Sequence, residues 1–111
     1  MTTPQTLDRT LTALADPTRR AILQRLSSGE ARVTDVAKPF GMSLNAVSKH
    51  IVVLERAKLL KRRKVGRDHY LSYRPEPLEA AAKWIESTRT FWSSRLDALE
   101  QLLRDEDAAN R

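Results

Sequence analysis

The chain has 111 residues, with 20 Lys and Arg against 14 Asp and Glu and a formal net charge of +6; that is room for one domain and excludes a two-domain enzyme. Cysteine is absent, which removes disulfides, thiolate metal sites, thiol redox sensing and cysteine nucleophiles together. No apolar run reaches the ~18–20 residues that span a bilayer, and the start MTTPQTLDRT lacks the charged-then-apolar layout of a secretory signal, so a cytoplasmic protein with no membrane partner is expected.

Leu7, Leu11 and Leu14 share one helical stripe and predict a helix over about residues 6–15. Asp16–Pro17 ends it and opens another, because aspartate is a good N-cap and proline fits the first helical position. The segment TRRAILQRL carries Ala21, Ile22 and Leu26 inward, leaves its arginines solvated, and ends near Ser28–Gly29. Thr34 is placed to cap a short helix with Val36, Ala37 and Phe40, and Gly41 stands in a tight turn after Pro39. Ser43 then caps a helix through about Ala57. Its Leu44, Val47, Ile51 and Leu54 lie within about 80° of one another, a core stripe. Asn45, Lys49 and Arg56 fall opposite, with Ala46 and Ser48 at the edges.

A helix, a short turn containing glycine and a second helix with a polar outer face form a helix-turn-helix, here about residues 34–57. Leu59–Val65 and Asp68–Tyr73 flank Gly66–Arg67 and read as a β-hairpin. A basic hairpin directly after a helix-turn-helix is a wing, here about residues 59–73. Pro75 and Pro77 open a last helix over about residues 77–104. In it Leu78, Ile85, Trp92 and Leu99 recur every seven residues; Ala82, Leu96 and Leu103 fill a companion stripe broken by Arg89; Trp84, Phe91 and Ala98 add a third. That apolar surface exceeds what one partner helix needs, so one side is expected to serve the core and another a second subunit. The tail RDEDAANR lacks an apolar stripe and is expected to fray. The expected fold is mainly α with a small β-hairpin: one winged helix-turn-helix domain over residues 1–111.

The charge is localised. Residues 43–74 hold nine Lys and Arg against Glu55 and Asp68, hence +7, while the remainder sums to −1. Such a patch is the footprint of a polyanion-binding surface, and the glycine turn and β-formers within it favour nucleic acid over a lipid face. The N-terminal part of a helix laid in the major groove reaches base edges. Asn45 is suited to the N6/N7 edge of adenine and Lys49 to a guanine or a phosphate; Ala46 fits a thymine methyl and Ser48 adds a hydrogen bond. Ser43 is an N-cap that can also hold a phosphate. In the wing, Arg63, Lys64 and Arg67 reach phosphates or the minor groove, with Arg62 pointing the other way by strand alternation. The two histidines, His50 and His69, lack the spacing and companions of a metal site. Helical aromatics such as Trp84 and Trp92 ordinarily belong to a core or interface, and no set of residues supports catalysis. No metal or other cofactor is expected.

LADPTRRAILQRL, MSLNAVSKHIVVLERAKLLKRRKVGRDHYLSY and WIESTRTFWSSRLDALEQLL resemble the second helix, the recognition helix with its wing, and the dimerising last helix of the ArsR family of bacterial winged-helix repressors. The resemblance runs from about Leu7 to Leu103. It implies a homodimer paired through the first and last helices, with Leu7, Leu11, Leu14, Ile85, Trp92, Leu96, Leu99 and Leu103 at the interface. It also implies binding to an inverted-repeat operator on double-stranded DNA, with Asn45, Ala46, Ser48 and Lys49 facing the groove. The metal-sensing members carry a cysteine motif where this chain has ARVTDVAK, and His/Asp ligands on the last helix that LEAAAKWIESTRTFW does not match. The metal-sensor role is therefore not carried over, and no motif implies a small-molecule inducer. Two other readings compete with the repressor: a non-specific architectural nucleic-acid binder and a winged-helix protein-interaction module.

Overall fold

The computed structural model describes residues 4–110. α1 (Pro4–Leu14) and α2 (Pro17–Leu26) are separated by a corner built on Asp16, whose extended backbone and carboxylate cap α2 by accepting the Arg19 N–H at 3.0 Å. Against the leucine stripe, α1 buries Thr10 and Ala13; Leu7 and Leu14 are half-buried and Leu11 is 38% exposed. Thr10 tolerates burial because its hydroxyl donates back to the Thr6 carbonyl at 3.0 Å. The inward set of α2 is Ile22, Leu23 and Leu26, with Ala21 only half-buried.

Arg19 is half-buried, against the expectation of solvated arginines on α2, while Arg20 and Arg25 stay exposed. Arg19 donates to the carbonyls of Ala13 at 2.8 Å and Thr12 at 3.0 Å, and Arg20 donates to that of Leu14 at 2.7 Å. These are carbonyls at the C-terminal end of α1, which a helix cannot satisfy internally and which attract cations.

A further strand appears before the helix-turn-helix. β1 (Ala31–Arg32) pairs antiparallel with β3 (Asp68–Tyr73), Ala31 opposite Leu71 and Arg32 opposite Tyr70, so the expected hairpin is a three-stranded sheet in the order β1-β3-β2. β1 runs straight into α3 (Val33–Ala37), which puts Thr34 inside the first turn. The capping position is Arg32, without a side-chain cap bond, so Thr34 is not the cap. A 3-10 turn (Lys38–Phe40) follows and closes on Gly41 at φ 55°, a left-handed conformation that disfavours any side chain.

α4 (Leu44–Arg56) starts as its sequence predicts: Ser43 is extended and its Oγ accepts the Ala46 N–H at 3.1 Å. Val47, Ile51 and Leu54 are fully buried, whereas Leu44 is 50% exposed. Its place in the first turn lifts Leu44 out of the core stripe and into the wall of a cleft facing the wing. β2 (Leu60–Val65) pairs with β3 in a register that sets Leu60 opposite Tyr73 and Val65 opposite Asp68. Gly66 alone of the two loop residues has positive φ, 62°, the pattern of a II′-type hairpin turn. Ile22, Leu26, Val36, Ile51, Leu54, Leu59 and Leu71 form the centre of the core.

α5 (Glu76–Ala109) is 34 residues long. The chain divides into two compact units at this helix, Met1–Ala81 and Ala82–Arg111. In the first, Leu78 packs against the core and Ala81 is buried. In the second, Trp84, Ile85, Phe91, Trp92, Leu96, Leu99, Leu102 and Leu103 are all 48–62% exposed. The tail, expected to fray, is helical through Ala109. RDEDAAN contains no helix breaker, and Gln101 bonds Asp105 at 3.0 Å while Arg104 pairs with Glu100, contacts four residues apart that support a solvated helix.

Candidate nucleic-acid interface

Ser43 holds the start of α4, and the helical period then places Asn45 and Lys49 one turn apart on its exposed side. Ala46 and Ser48 are half-buried beside them. The structure therefore gathers all five residues expected from the sequence at the N-terminal half of one helix.

The wing sorts its cations by strand alternation. On β2, Leu60, Arg62 and Lys64 share a face with Leu71 and His69 opposite them on β3, while Lys61, Arg63 and Val65 share the other with Tyr70 and Asp68. Leu60 and Leu71 are buried, so the first face is the one that meets the core and α4. This corrects the expectation that Arg63 and Lys64 act together with Arg62 turned away: the period of two joins Arg62 to Lys64 and isolates Arg63. Arg63 is also engaged. Its guanidinium donates to both Glu30 carboxylate oxygens at 2.7 and 3.4 Å and lies 5.0 Å from the centre of the Tyr70 ring. The hydrogen bonds that Arg63 donates to Glu30 raise its pKa above the ordinary value.

Arg62 links helix to wing, donating to Glu55 of α4 at 3.3 Å and standing 3.4 Å from His69 Nδ1. Between α4 and the hairpin lies a cleft of ≈ 300 Å³ whose walls include Ser48 from the helix and Arg67 and His69 from the wing. Arg32 and Thr34 complete it from β1 and α3. Neither was expected at this surface. Arg32 arrives through a two-residue strand too short to leave an alternating pattern; Arg62 and His69 were findable by applying the two-residue period to both strands together.

His50, on the same helix as Lys49, lies inside a polar joint. Its Nδ1 is 3.4 Å from the Arg19 guanidinium and 3.8 Å from Asp16. The Arg19 backbone N–H, with His50 and the Arg19 charge adding to it, holds the Asp16 carboxyl below the usual carboxylate range. The joint ties the α1–α2 corner to α4. Among the described residues no three His, Cys, Asp or Glu side chains group as a metal site.

Comparison with known proteins bears on the fold and the family. A helix-turn-helix domain model matches residues 14–63, from the end of α1 into β2. The chain is 38% identical over 106 residues to the HTH-type transcriptional regulator Rv2034 of Mycobacterium tuberculosis, covering 96% of both proteins. The crystal structure of the ArsR family transcriptional regulator RHA00566 superposes with a TM-score of 0.80 at 41% identity, over 84% of this chain and 96% of that one. The chain belongs to the ArsR family. As a member it is a DNA-binding transcriptional regulator and not an enzyme. Two further matches are more distant. The transcriptional repressor SdpR of Bacillus subtilis is 32% identical over 73 residues, 66% of this chain and 81% of that protein. A homodimeric winged helix-turn-helix DNA-binding domain from Mycobacterium bovis matches at a TM-score of 0.60 and 26% identity, over 83% of this chain and 82% of that one.

Proposed function

We propose that this ArsR-family chain is a repressor that binds an inverted-repeat operator as a homodimer and blocks transcription by occupying the DNA. Each subunit lays α4 in a major groove, with Asn45, Ala46, Ser48 and Lys49 toward the base edges, and Ser43, Lys64 and Arg67 hold the flanking phosphates. The observation that carries this reading is the cleft in which Ser48 of α4 and Arg67 of the wing turn meet: the helix that can read bases and the loop that can grip the backbone address one surface. The SdpR name supports repression. The Mycobacterium bovis homodimer and the exposed apolar stripes of α5 support pairing, with Leu7, Leu11 and Leu14 of α1 joining Ile85, Trp92, Leu96, Leu99 and Leu103 of α5 in the interface. An operator-binding role also places the working protein in the cytoplasm.

The test is footprinting of the bound protein on genomic DNA. Two protected half-sites of inverted sequence about 34 Å apart, one helical turn, are expected. Protection without a shared sequence would replace the repressor by an architectural binder, and no protection at low salt would replace both by a protein-interaction module.

A further inference from the structure

Lys58 has a φ of 62°, the one positive value at a non-glycine position among the described residues. It stands just past α4, where its N–H bonds the Glu55 carbonyl and the following N–H, of Leu59, bonds the Leu54 carbonyl, both at 3.0 Å. This paired closure of a helix is ordinarily made with glycine, because a Cβ in the left-handed region is disfavoured. Lysine is strained there in a way glycine is not, and what it adds is a long side chain ending in an ammonium.

That side chain lines a cleft of ≈ 480 Å³ at the C-terminal end of α4 and the base of the hairpin. Lys61 of β2 and Arg74 of the β3–α5 link line it as well. Among its charged residues Glu55 is engaged by Arg62 at 3.3 Å. Lys58, Lys61 and Arg74 hold no ion pair among the described residues and share the cleft with one further carboxylate, Glu76. The N-terminal start of α4, with Asn45, is about 18 Å away along the helix.

We propose that this cleft binds a small polyanion, a phosphorylated or polycarboxylate molecule, through Lys58, Lys61 and Arg74. Its volume falls in the range of small-molecule sites, and ammonium and guanidinium groups make charge-assisted hydrogen bonds to oxyanions. Arg62 gives an occupant a route to the DNA-facing side: it lines this cleft and the cleft between α4 and the wing, bonding Glu55 and meeting His69. An anion drawn to Arg62 competes with Glu55 for the guanidinium. The same oxyanion chemistry is offered by a free molecule or by the DNA backbone, and the site is proposed for the free molecule.

The experiment is a titration of the full chain, without DNA, with inorganic phosphate and with pyrophosphate, following backbone amide resonances. Saturable shifts at Lys58, Lys61 and Arg74 are expected. In Lys58→Gly, which relieves the positive φ and therefore keeps the fold and at least the parent's thermal stability, affinity is expected to fall about tenfold. Shifts that do not saturate with either anion, or an affinity unchanged in Lys58→Gly, overturn the proposal. Repeating the titration with duplex DNA bound separates the sources. Shifts that return with duplex bound once the anion concentration is raised support a separate site, and shifts absent with duplex bound at every anion concentration assign the three cations to the DNA backbone and overturn it.

Discussion

The Arg63 guanidinium is clamped to the Glu30 carboxylate at 2.7 Å, on the face of the sheet away from α4, although it is one residue from Lys64. Adjacent cations in the wing therefore differ in what they can offer DNA. Arg67→Ala and Lys64→Ala are each expected to flatten the dependence of log affinity on log salt by about one unit, the signature of one lost phosphate contact. Arg63→Ala is expected to leave that slope unchanged. A salt series on the three variants checks this, and a slope change in Arg63→Ala equal to the others would return Arg63 to the interface.

Asn45 and Arg67 are expected to fail differently. Asn45→Ala should relax base preference at one operator position, at a cost of ~1–3 kcal/mol on the preferred base, because a bidentate amide–adenine contact is lost. Arg67→Ala should weaken all sequences alike. Binding measured across a set of single-base operator variants tells the two patterns apart.

The stripe on α4 is buried unevenly, and stability should follow. Leu54→Ala and Ile51→Ala remove fully buried side chains and are each expected to cost ~2–5 kcal/mol. Leu44→Ala, at a side chain 50% exposed, should cost under about 1 kcal/mol. Ser43→Ala removes the cap bond to Ala46 and should cost about 1 kcal/mol. Urea denaturation of the four variants gives the order directly.

Acid should loosen the α1–α2 corner. The folded Asp16 carboxyl lies below its ordinary value of 3.8, chiefly through the Arg19 N–H, so its contribution is fully present above that value and is lost as pH falls through the lower folded one. Asp16→Asn, which keeps an N-cap oxygen without the charge, should flatten the melting temperature against pH in that acid window and leave the neutral side of the curve parallel to the parent. An unchanged acid limb would remove Asp16 from this role.

Local rules made much of this molecule legible. Asp16–Pro17 and Ser43 announce their helices because the caps are short-range hydrogen bonds within three residues, and Gly66 announces the hairpin because its φ is set by the turn. The misses involve partners distant in sequence. β1 exists only because Ala31 and Arg32 pair with Leu71 and Tyr70 on a strand forty residues away; Thr34 lost its capping place to that strand. Arg19 looks solvated until α2 folds back on the end of α1. The clustering of Ser43, Asn45, Ala46, Ser48 and Lys49 at the start of α4 was readable from the helical period, whereas the ion pairing of Arg63 depends on Glu30, thirty-three residues earlier.

The most direct measurement is a competition titration of the full chain with the footprinted duplex against a scrambled duplex of equal length and composition, with the mass of each complex recorded. Two chains per duplex are predicted, with the scrambled sequence bound at least about a thousandfold more weakly at physiological salt. One chain per duplex, or equal affinity for the two sequences, would contradict the account.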